Sequence, residues 1–375
     1  MRVLLVPDKF KESLTAQEVC GAISEGMLRA IPDLEIISIA ASDGGNGFLE
    51  AIASKKALEW ITSDTVDPLN RPIKSQYIWD PINQFAYVEL ARASGLELLK
   101  PLERNPMLTS TLGTGLQLRD ALTRGAKKIF IGLGGSATND GGIGIAAALG
   151  YSFVDEAGKP LAPIGRSLEQ ISAIEKPIAP VITTEVEFIA VNDVNNPLWG
   201  PKGAAAVYAP QKGADIKMVH HLDQGLQNLD SIVARDLGIL VGKVPGSGAA
   251  GGAAFGLMAF LGAGFVAGTE FIITHSGLRD LMRYQEIDII ITGEGKIDEQ
   301  SLNGKFIQGI LGLGAEFGIP VGAVCGSCTL TEPVIKSSGM TWVIAVSDKE
   351  RTLSWNLQNA YWCTVNAVTT FFESY

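Results

Sequence analysis

A long glycine-rich segment follows directly on a short apolar run, and this pairing constrains the fold more than any other feature of the chain. The run is Lys127-Lys-Ile-Phe-Ile131, and the segment after it reads Gly132-Leu-Gly-Gly-Ser-Ala-Thr-Asn-Asp-Gly-Gly-Ile-Gly144. Glycines allow a backbone to approach a ligand closely and to expose its N–H groups. Two hydroxyls and an Asn-Asp pair lie in the same segment. The sequence therefore predicts a loop, at the end of a buried strand, that binds phosphates and a metal ion.

Length and composition narrow the class of protein. A chain of 375 residues is longer than one typical core needs, which favours two domains. A hydrophobic fraction of 46%, with 43 glycines and 19% charged residues, is typical of a core-rich α/β protein. The net charge of −10 argues against nucleic acid and anionic membranes as partners, because both need a basic surface.

Two apolar stretches bear on where the protein is located. Met1-Arg-Val-Leu-Leu-Val-Pro7 is too short for a signal peptide and is typical of a buried first strand, so we expect a cytoplasmic protein. The uncharged stretch 244–269 is long enough to span a bilayer, but its many glycines and alanines make it only modestly hydrophobic. We expect a buried helix there and no membrane partner.

Cysteine and histidine chemistry has little support. Cys325-Gly-Ser-Cys328 forms a C-x-x-C motif, but no further ligands stand at the spacing of a zinc site, so we expect two buried thiols at a strand end. His220, His221 and His275 lie outside the glycine-rich and acidic clusters. Catalysis by a Ser-His-Asp or Cys-His set therefore has no obvious base.

Apolar runs alternate with helical stretches along the chain, which predicts a parallel or mixed sheet covered by helices. The first helix, from about residue 15 to residue 30, opens with a capping box formed by Thr15 and Glu18. Polar and glycine-rich clusters follow five of the apolar runs, and ligands of open α/β sheets bind at that edge. These clusters are Asp8–Ser13, Ser42–Asn46, Gly132–Gly144, Asn192–Asn196 and Gly293–Asp298.

Changes in pattern mark candidate domain boundaries. The region 65–85 contains several Pro and Asn residues, and a second change lies near 275–286, before another strand of the first type. We therefore place one domain at 1–70 and 285–375 and a second, inserted domain at 71–284.

The central loop also fits a different function. Gly132-x-Gly134-x-x-Ala137, followed by Asp155, matches the dinucleotide fingerprint, so an NAD(P)-dependent oxidoreductase is one alternative. The stretch Thr138–Gly142 tells against it, because the helix of a dinucleotide fold should already be under way there. A non-catalytic nucleotide-binding regulator on the same scaffold is the second alternative.

The parts needed for phosphoryl transfer are present, although the chain lacks a standard P-loop motif. Such a transfer needs cations, backbone donors, magnesium ligands and a base for the hydroxyl. The candidate cations and carboxylates in or beside the strand-end loops are Lys9, Lys11, Lys296, Lys305, Asp43, Asp140, Asp193 and Asp298.

Seven motifs, in order along nearly the whole chain, closely resemble those of the type I glycerate kinases. They are Pro7-Asp-Lys-Phe-Lys-Glu-Ser-Leu14, Asp43-Gly-Gly-x-Gly47, Gly132–Gly142, Asn192-Asp-Val-x-Asn-Pro-Leu198, Pro210-Gln-Lys-Gly213, Gly246-x-Gly-Ala-Ala-Gly-Gly252 and Ile291–Asp298 with Gln300-Ser301 and Gly304-Lys305. One departure is Asn46, where the family commonly has an acidic residue.

The resemblance implies ATP-dependent phosphorylation of D-glycerate, usually at the 2-hydroxyl in bacterial members, with Mg²⁺ as the metal. It also implies two different α/β domains. One is Rossmann/flavodoxin-like and is formed from both chain ends, the other is inserted, and the active site lies in the cleft between them. A homodimer is compatible with this assignment.

Roles for the residues follow from their chemistry, as hypotheses. For ATP, we assign the phosphates to Gly134, Gly135, Ser136, Thr138, Asn139, Gly248 and Lys296. We assign Mg²⁺ or its waters to Asp140 and Asp43, with Asn139 beside them. For glycerate, we assign the carboxylate to Lys9 or Lys11, with Arg92 as a weaker candidate, and the remaining contacts to Asp8, Ser13 and Asp43. The base is Asp193 as first choice and Asp298 as second, and Lys9 joins them in the catalytic set.

Overall fold

The computed structural model describes residues 1–10, 12–40, 47–53, 58–178, 185–302 and 305–374. Three positions singled out in the sequence, Lys11, Asp43 and Asn46, lie outside the described residues, and so does the side chain of Lys305.

The described residues form an α/β protein. Its strands are β1 (Arg2–Pro7), β2 (Glu35–Ser38), β3 (Glu59–Val66), β4 (Pro72–Asp80), β5 (Phe85–Glu89), β6 (Lys128–Gly132), β7 (Ser152–Val154), β8 (Ala173–Glu175), β9 (Glu187–Val191), β10 (Gly264–Val266), β11 (Ile289–Ile297), β12 (Val321–Cys328) and β13 (Met340–Ala345). Its helices are α1 (Ala16–Ala30), α2 (Phe48–Ala53), α3 (Ala91–Ser94), α4 (Leu112–Thr123), α5 (Ile143–Ala148), α6 (Ala204–Tyr208), α7 (Ile216–Leu237), α8 (Ala249–Leu261), α9 (Gly268–His275), α10 (Leu278–Tyr284), α11 (Glu299–Leu302), α12 (Lys305–Phe317), α13 (Glu332–Ser337), α14 (Leu353–Gln358) and α15 (Ala360–Glu373).

The first of two compact units contains both ends of the chain. Its sheet has the order β13-β12-β11-β1-β2, and all four strand pairs are parallel. Numbered within this unit, the order is 2-1-3-4-5, which is that of flavodoxin-like folds. The prediction of a flavodoxin-like domain built from both chain ends is therefore confirmed. The strand order reverses between β1 and β11, and ligands of such folds bind at that point.

The sequence dictates how this sheet is covered. Helix α1 begins at the predicted capping box, in which the Glu18 N–H donates to Thr15 Oγ1 at 3.2 Å and the Thr15 N–H donates to Glu18 Oε2 at 2.8 Å. The apolar face of α1 packs with α15 and with β1 in one buried cluster. This burial holds the first and last elements of the chain together.

The second unit contains the larger sheet, with the order β10-β9-β6-β5-β4-β3. Strands β10, β9, β6 and β5 run parallel, and β4 and β3 complete the sheet as an antiparallel pair. Strand β6 pairs with β5 on one side and with β9 on the other, so the loop after β6 leaves the middle of the parallel part.

The boundaries between the units differ from the predicted 70/71 and 284/285. Strand β3 pairs with β4 along its whole length and belongs to the second unit, and the first unit resumes at Ala267. The Pro-containing segment after Val66 is a hairpin turn, in which Asp67 Oδ1 accepts hydrogen bonds from the N–H groups of Leu69 and Arg71, both at 2.9 Å. The Pro- and Asn-containing composition, which fits either a loop or a domain crossover, therefore belongs here to a turn within one sheet.

The fold shows where the apolar stretch 244–269 and the two cysteines of the C-x-x-C motif lie. Among the described residues, no helix is long and apolar enough to cross a membrane. The stretch 244–269 instead contains the buried helix α8. Cys325 is buried as expected, whereas Cys328 is half-buried, and both thiols are free.

Two glycines of α1 give a matched test of how closely the helices pack. A Cβ at Gly26 would lie 2.7 Å from the carbonyl oxygen of Val365 and 2.9 Å from Cβ of Val368, both in α15. At Gly21 the nearest atom, Tyr361 Oη, is 3.4 Å away. We expect Gly26→Ala to destabilise the protein by about 1–3 kcal/mol through overpacking. Gly21→Ala should stabilise it by up to about 1 kcal/mol, because alanine favours the helix.

Urea denaturation followed by circular dichroism compares the two variants. A rise in the denaturation midpoint for Gly26→Ala would contradict the close approach of α1 and α15.

Candidate active site

The glycine-rich loop leaves β6 at Gly132 and does not enter a helix until Ile143. Gly135, Gly141 and Gly142 have positive φ angles of 71°, 62° and 76°, which L-residues with side chains rarely adopt. In a dinucleotide fold the helix would already have begun by 138–142, so its absence there tells against a dinucleotide site. Asp155 closes a turn after β7, where its Oδ1 accepts from the N–H of Ala157 at 2.9 Å.

One side of the loop is bound to the chain segment after α3. The Ala137 N–H donates to the carbonyl of Ser94 at 2.9 Å, and the Leu96 N–H donates to the carbonyl of Gly135 at 2.9 Å. The Ala137 amide is therefore used within the protein and is not available to a phosphate. Gly135 is exposed and Gly134 is half-buried, so these two residues present the accessible backbone of the loop.

Asp140, predicted as a metal ligand, lies fully buried inside the loop. Its Oδ2 accepts from the N–H of Thr111 at 2.7 Å, the hydroxyl of Thr111 at 2.8 Å and the N–H of Gly144 at 3.3 Å, and its Oδ1 accepts from the N–H of Gly142 at 3.2 Å. Burial raises the pKa of this carboxyl, and the same hydrogen bonds act in the opposite direction. Oδ2 accepts three hydrogen bonds and Oδ1 accepts one, so Asp140 holds the loop in place, and its role as a metal ligand stays a prediction.

A lysine for which the sequence predicts no role lies behind the loop. Lys212 is 2% exposed, and its ammonium donates to Ser136 Oγ and to the carbonyl oxygen of Thr138, both at 2.7 Å. Burial lowers the pKa of this ammonium to about 7, and the charge of Asp140 acts in the opposite direction. The sequence signal was the Pro210-Gln-Lys-Gly213 motif, which the resemblance to glycerate kinases included but to which no role was given.

Three polar atoms of the loop are buried without a hydrogen-bond partner among the described residues. They are Thr138 Oγ1 and both Asn139 amide atoms, Oδ1 and Nδ2. Buried polar groups are nearly always paired, so such atoms point to a ligand, a water or a rearrangement. Their position on the loop fits the expectation that Thr138 and Asn139 belong to a binding site.

The segment 246–252 packs against this loop, and it is not a regular helix start. Ala250, Gly251 and Gly252 have left-handed φ angles of 53°, 67° and 84°, so regular helix follows only after them. A Cβ at Gly251 would lie 2.0 Å from the Thr138 carbonyl oxygen. The Gly248 N–H, assigned to ATP, donates to the carbonyl of Asn196 at 2.9 Å. These glycines serve the close approach of two loops rather than an anion at a helix end.

Asp193 follows β9, the neighbour of β6, and is half-buried. The preceding Asn192 shapes the turn, because its Oδ1 accepts from the N–H of Val194 at 3.1 Å. The Leu133 N–H donates to the carbonyl of Val191 at 3.2 Å, so the loops after β6 and β9 start side by side. The structure thus brings Asp193 to the same sheet edge as the glycine-rich loop.

In the first unit, the predicted residues after β1 lie at the point where the strand order reverses. The Asp8 N–H donates to the carbonyl of Gly293 at 2.8 Å, and Asp8 Oδ1 accepts from the Lys9 N–H at 2.7 Å. Both residues are half-buried. The Ser13 hydroxyl donates to the carbonyl of Phe10 at 3.1 Å and therefore supports the turn.

Three other predicted residues have partners that favour supporting roles. The Lys296 ammonium lies 2.9 Å from Asp298 Oδ2, and Asp298 Oδ1 accepts from the N–H of Ser301 at the start of α11, at 3.3 Å. Asp298 therefore caps a helix and carries an ion pair. The Arg92 guanidinium lies 5.8 Å from the centre of the Trp60 ring in the second unit.

The described residues do not form a magnesium site made of protein ligands alone. Among them, no group of three or more His, Cys, Asp or Glu side chains could hold a metal ion. Magnesium is commonly bound by one or two carboxylates together with substrate phosphates, so an ATP complex needs fewer protein ligands than this. Asp43, the other predicted ligand, lies outside the described residues.

Comparisons with known proteins identify the family of this chain. The model of the glycerate kinase family matches residues 3–373. A glycerate kinase of Halalkalibacterium halodurans is 39% identical over 87% of this chain and 85% of its own length, and a glycerate 2-kinase of Escherichia coli is 37% identical over 96% and 94%. The crystal structure of a Salmonella typhimurium LT2 protein named after glycerate kinase 2 is similar with a TM-score of 0.80 at 34% identity, covering 100% of this chain and 98% of that one.

The role of Asp140 can be tested with Asp140→Asn. An amide offers one oxygen and adds N–H donors, which would face the N–H groups that now bind the carboxylate. We expect a loss of about 1–3 kcal/mol in the free energy of unfolding, even with magnesium chelated by EDTA. The control Asp155→Asn, on the turn after β7, should lose less.

Thermal denaturation in EDTA measures the stability of each variant, and a subsequent magnesium titration measures its affinity for the metal. Unchanged stability in EDTA together with weaker magnesium binding would instead assign Asp140 to the metal.

Proposed function

The chain belongs to the glycerate kinase family and phosphorylates glycerate with ATP, and we propose that the γ-phosphoryl group goes to the 2-hydroxyl of D-glycerate, with release of ADP. The observation that carries the proposal is the family match over nearly the whole chain. The 37% identical relative from Escherichia coli is named glycerate 2-kinase, which supports the 2-hydroxyl.

The accessible part of the glycine-rich loop suits the phosphates of ATP. Gly134 and Gly135 expose backbone at the carboxyl end of β6, and the Ser136 hydroxyl is held beside them by Lys212. Phosphoryl transfer depends mainly on positioning and on charge stabilisation of the transferred group. Backbone N–H groups fixed in advance supply both, because they need no rearrangement during the reaction.

Asp193 is the better of the two candidate bases. It follows β9 beside the loop after β6, at the sheet edge that carries the glycine-rich loop, whereas Asp298 follows β11 in the first unit. In the proposed step, the Asp193 carboxylate accepts the proton of the 2-hydroxyl while that oxygen attacks the γ-phosphorus. The bond between the γ-phosphorus and the bridging oxygen breaks, and ADP leaves with that electron pair.

Lys9 is our choice for the glycerate carboxylate. It follows β1 at the strand-order reversal and is half-buried, which strengthens a charge interaction relative to a fully exposed lysine. Arg92 is less suited, since its guanidinium stacks over Trp60.

Mg²⁺, arriving with ATP, would neutralise charge on the phosphates. A homodimer and a cytoplasmic location stay predictions, and light scattering tests the first.

Phosphorus NMR of the reaction of D-glycerate, ATP and MgCl₂ tests the proposed product. We expect the signal of 2-phosphoglycerate together with ADP, and chelation of magnesium should stop the reaction. A 3-phosphoglycerate signal would overturn the choice of hydroxyl. ADP release no faster than in the absence of glycerate would favour the regulator, and stabilisation by NAD(P) instead of ATP would favour the oxidoreductase.

Asp193→Asn tests the base. The amide keeps the shape of the side chain but does not accept the proton, so we expect kcat to fall about 10²–10⁴-fold. ATP affinity, measured by calorimetry, should change by no more than about twofold. That is well below the 1.4 kcal/mol of binding free energy that a tenfold change requires. Asp298→Asn is run in parallel and should lose less activity. Full turnover in Asp193→Asn, with loss in Asp298→Asn, would reverse the assignment.

A further inference from the structure

Lys212 is a buried amine without a charged partner at contact distance, and burial lowers its pKa to about 7. Within the described ranges its ammonium donates to a hydroxyl and a carbonyl, those of Ser136 and Thr138, and forms no ion pair. The nearest carboxylate that attracts it is Asp140, whose oxygens already accept four hydrogen bonds from other groups. Neutral acceptors compensate only part of the cost of removing an ammonium from water.

A loop brace does not need a charge. A neutral donor could hold Ser136 and Thr138 at a smaller desolvation cost, so a lysine here points to a use besides bracing, one in which an anion at the loop favours its protonated form. In a buried environment with a low dielectric constant, an ammonium acts on a nearby anion far more strongly than in water. The loop in front of Lys212 leaves a parallel strand at its carboxyl end, where α/β sheets bind ligands.

The unpaired atoms on the same loop are an independent indication of a ligand. Thr138 supplies a carbonyl to Lys212 while its own hydroxyl has no partner, and the adjacent Asn139 amide also lacks one among the described residues. Each unpaired buried group costs about 1–3 kcal/mol. This cost lies on Thr138, which Lys212 contacts, and on the next residue, Asn139, and binding of a ligand at the loop could relieve it.

We propose that Lys212 is a positioning residue for the nucleotide. Its ammonium fixes Ser136 and Thr138 from behind, so that the exposed backbone of Gly134 and Gly135 faces a phosphate group, and its charge attracts that group through the loop. The inference rests on the proposed function, because it takes the phosphate to be that of ATP. It does not depend on which hydroxyl of glycerate reacts.

Lys212→Met separates this role from a structural one. Methionine fills similar space without a charge, and replacing a buried charge with an apolar group is often neutral or stabilising. We expect an unchanged or higher melting temperature together with an ATP dissociation constant raised about tenfold, equivalent to 1.4 kcal/mol. KM for glycerate should change less than KM for ATP. The matched control is Lys217→Met, which removes an exposed charge from α7 and should alter neither value.

A double-mutant cycle with Ser136→Ala tests whether Lys212 acts through the loop. If it does, both single changes weaken ATP binding through the same contact. The double variant should then bind ATP about as weakly as Lys212→Met alone. If the factors by which the two single changes weaken ATP binding instead multiply in the double variant, Lys212 does not act through Ser136. That result would overturn this part of the proposal.

ATP binding is measured by calorimetry without glycerate, so the outcome is independent of turnover. Wild-type protein that binds ATP but releases no ADP would contradict the proposed function and leave the Lys212 inference testable. Wild-type affinity for ATP in Lys212→Met, with a lower melting temperature, would make the lysine structural and overturn the inference. If Lys212→Met does not fold, Ser136→Ala decides, since unchanged ATP affinity in that variant would also overturn it.

Discussion

The buried carboxylate of Asp140 joins chain segments that the sheet alone would not hold together. It accepts hydrogen bonds from the start of α4, through Thr111, and from the start of α5, through Gly144. The Thr111 hydroxyl also accepts from the Ile145 N–H at 3.1 Å. Because these bonds satisfy backbone groups at two helix starts, they fix where the glycine-rich loop ends. The position of Ser136, and with it the Lys212 contact, depends on this anchor.

Much of the architecture can be predicted from the sequence. The apolar runs, the capping box of α1 and the family motifs lead to an α/β protein with a flavodoxin-like unit formed from both chain ends, because local propensity and motif order carry that information. The domain boundaries are harder. The Pro-containing turn after Val66 has the composition of a linker, and only the pairing of β3 with β4 identifies it as a hairpin.

The site is predicted less completely, for a physical reason. An Asp in a glycine-rich loop suits both a metal ligand and a backbone cap, and the difference lies in distances that a sequence does not contain. Lys212 lies 76 residues from Ser136 along the chain, and a lysine in a short turn is usually solvated. Its burial results from the packing of the second unit, which no local pattern near residue 212 reveals.

The sheet of the first unit also constrains the order of events as the chain is made. Strand β1 is separated from its neighbour β2 by a single helix, but its other neighbour, β11, starts at Ile289. Contacts between such distant segments form slowly, and domains generally fold as units during synthesis. The whole second unit can therefore fold on the ribosome while the apolar β1, with Leu4 and Leu5, still has one open edge. An open apolar strand edge favours aggregation, so this topology leaves the growing chain with such an edge until β11 is made.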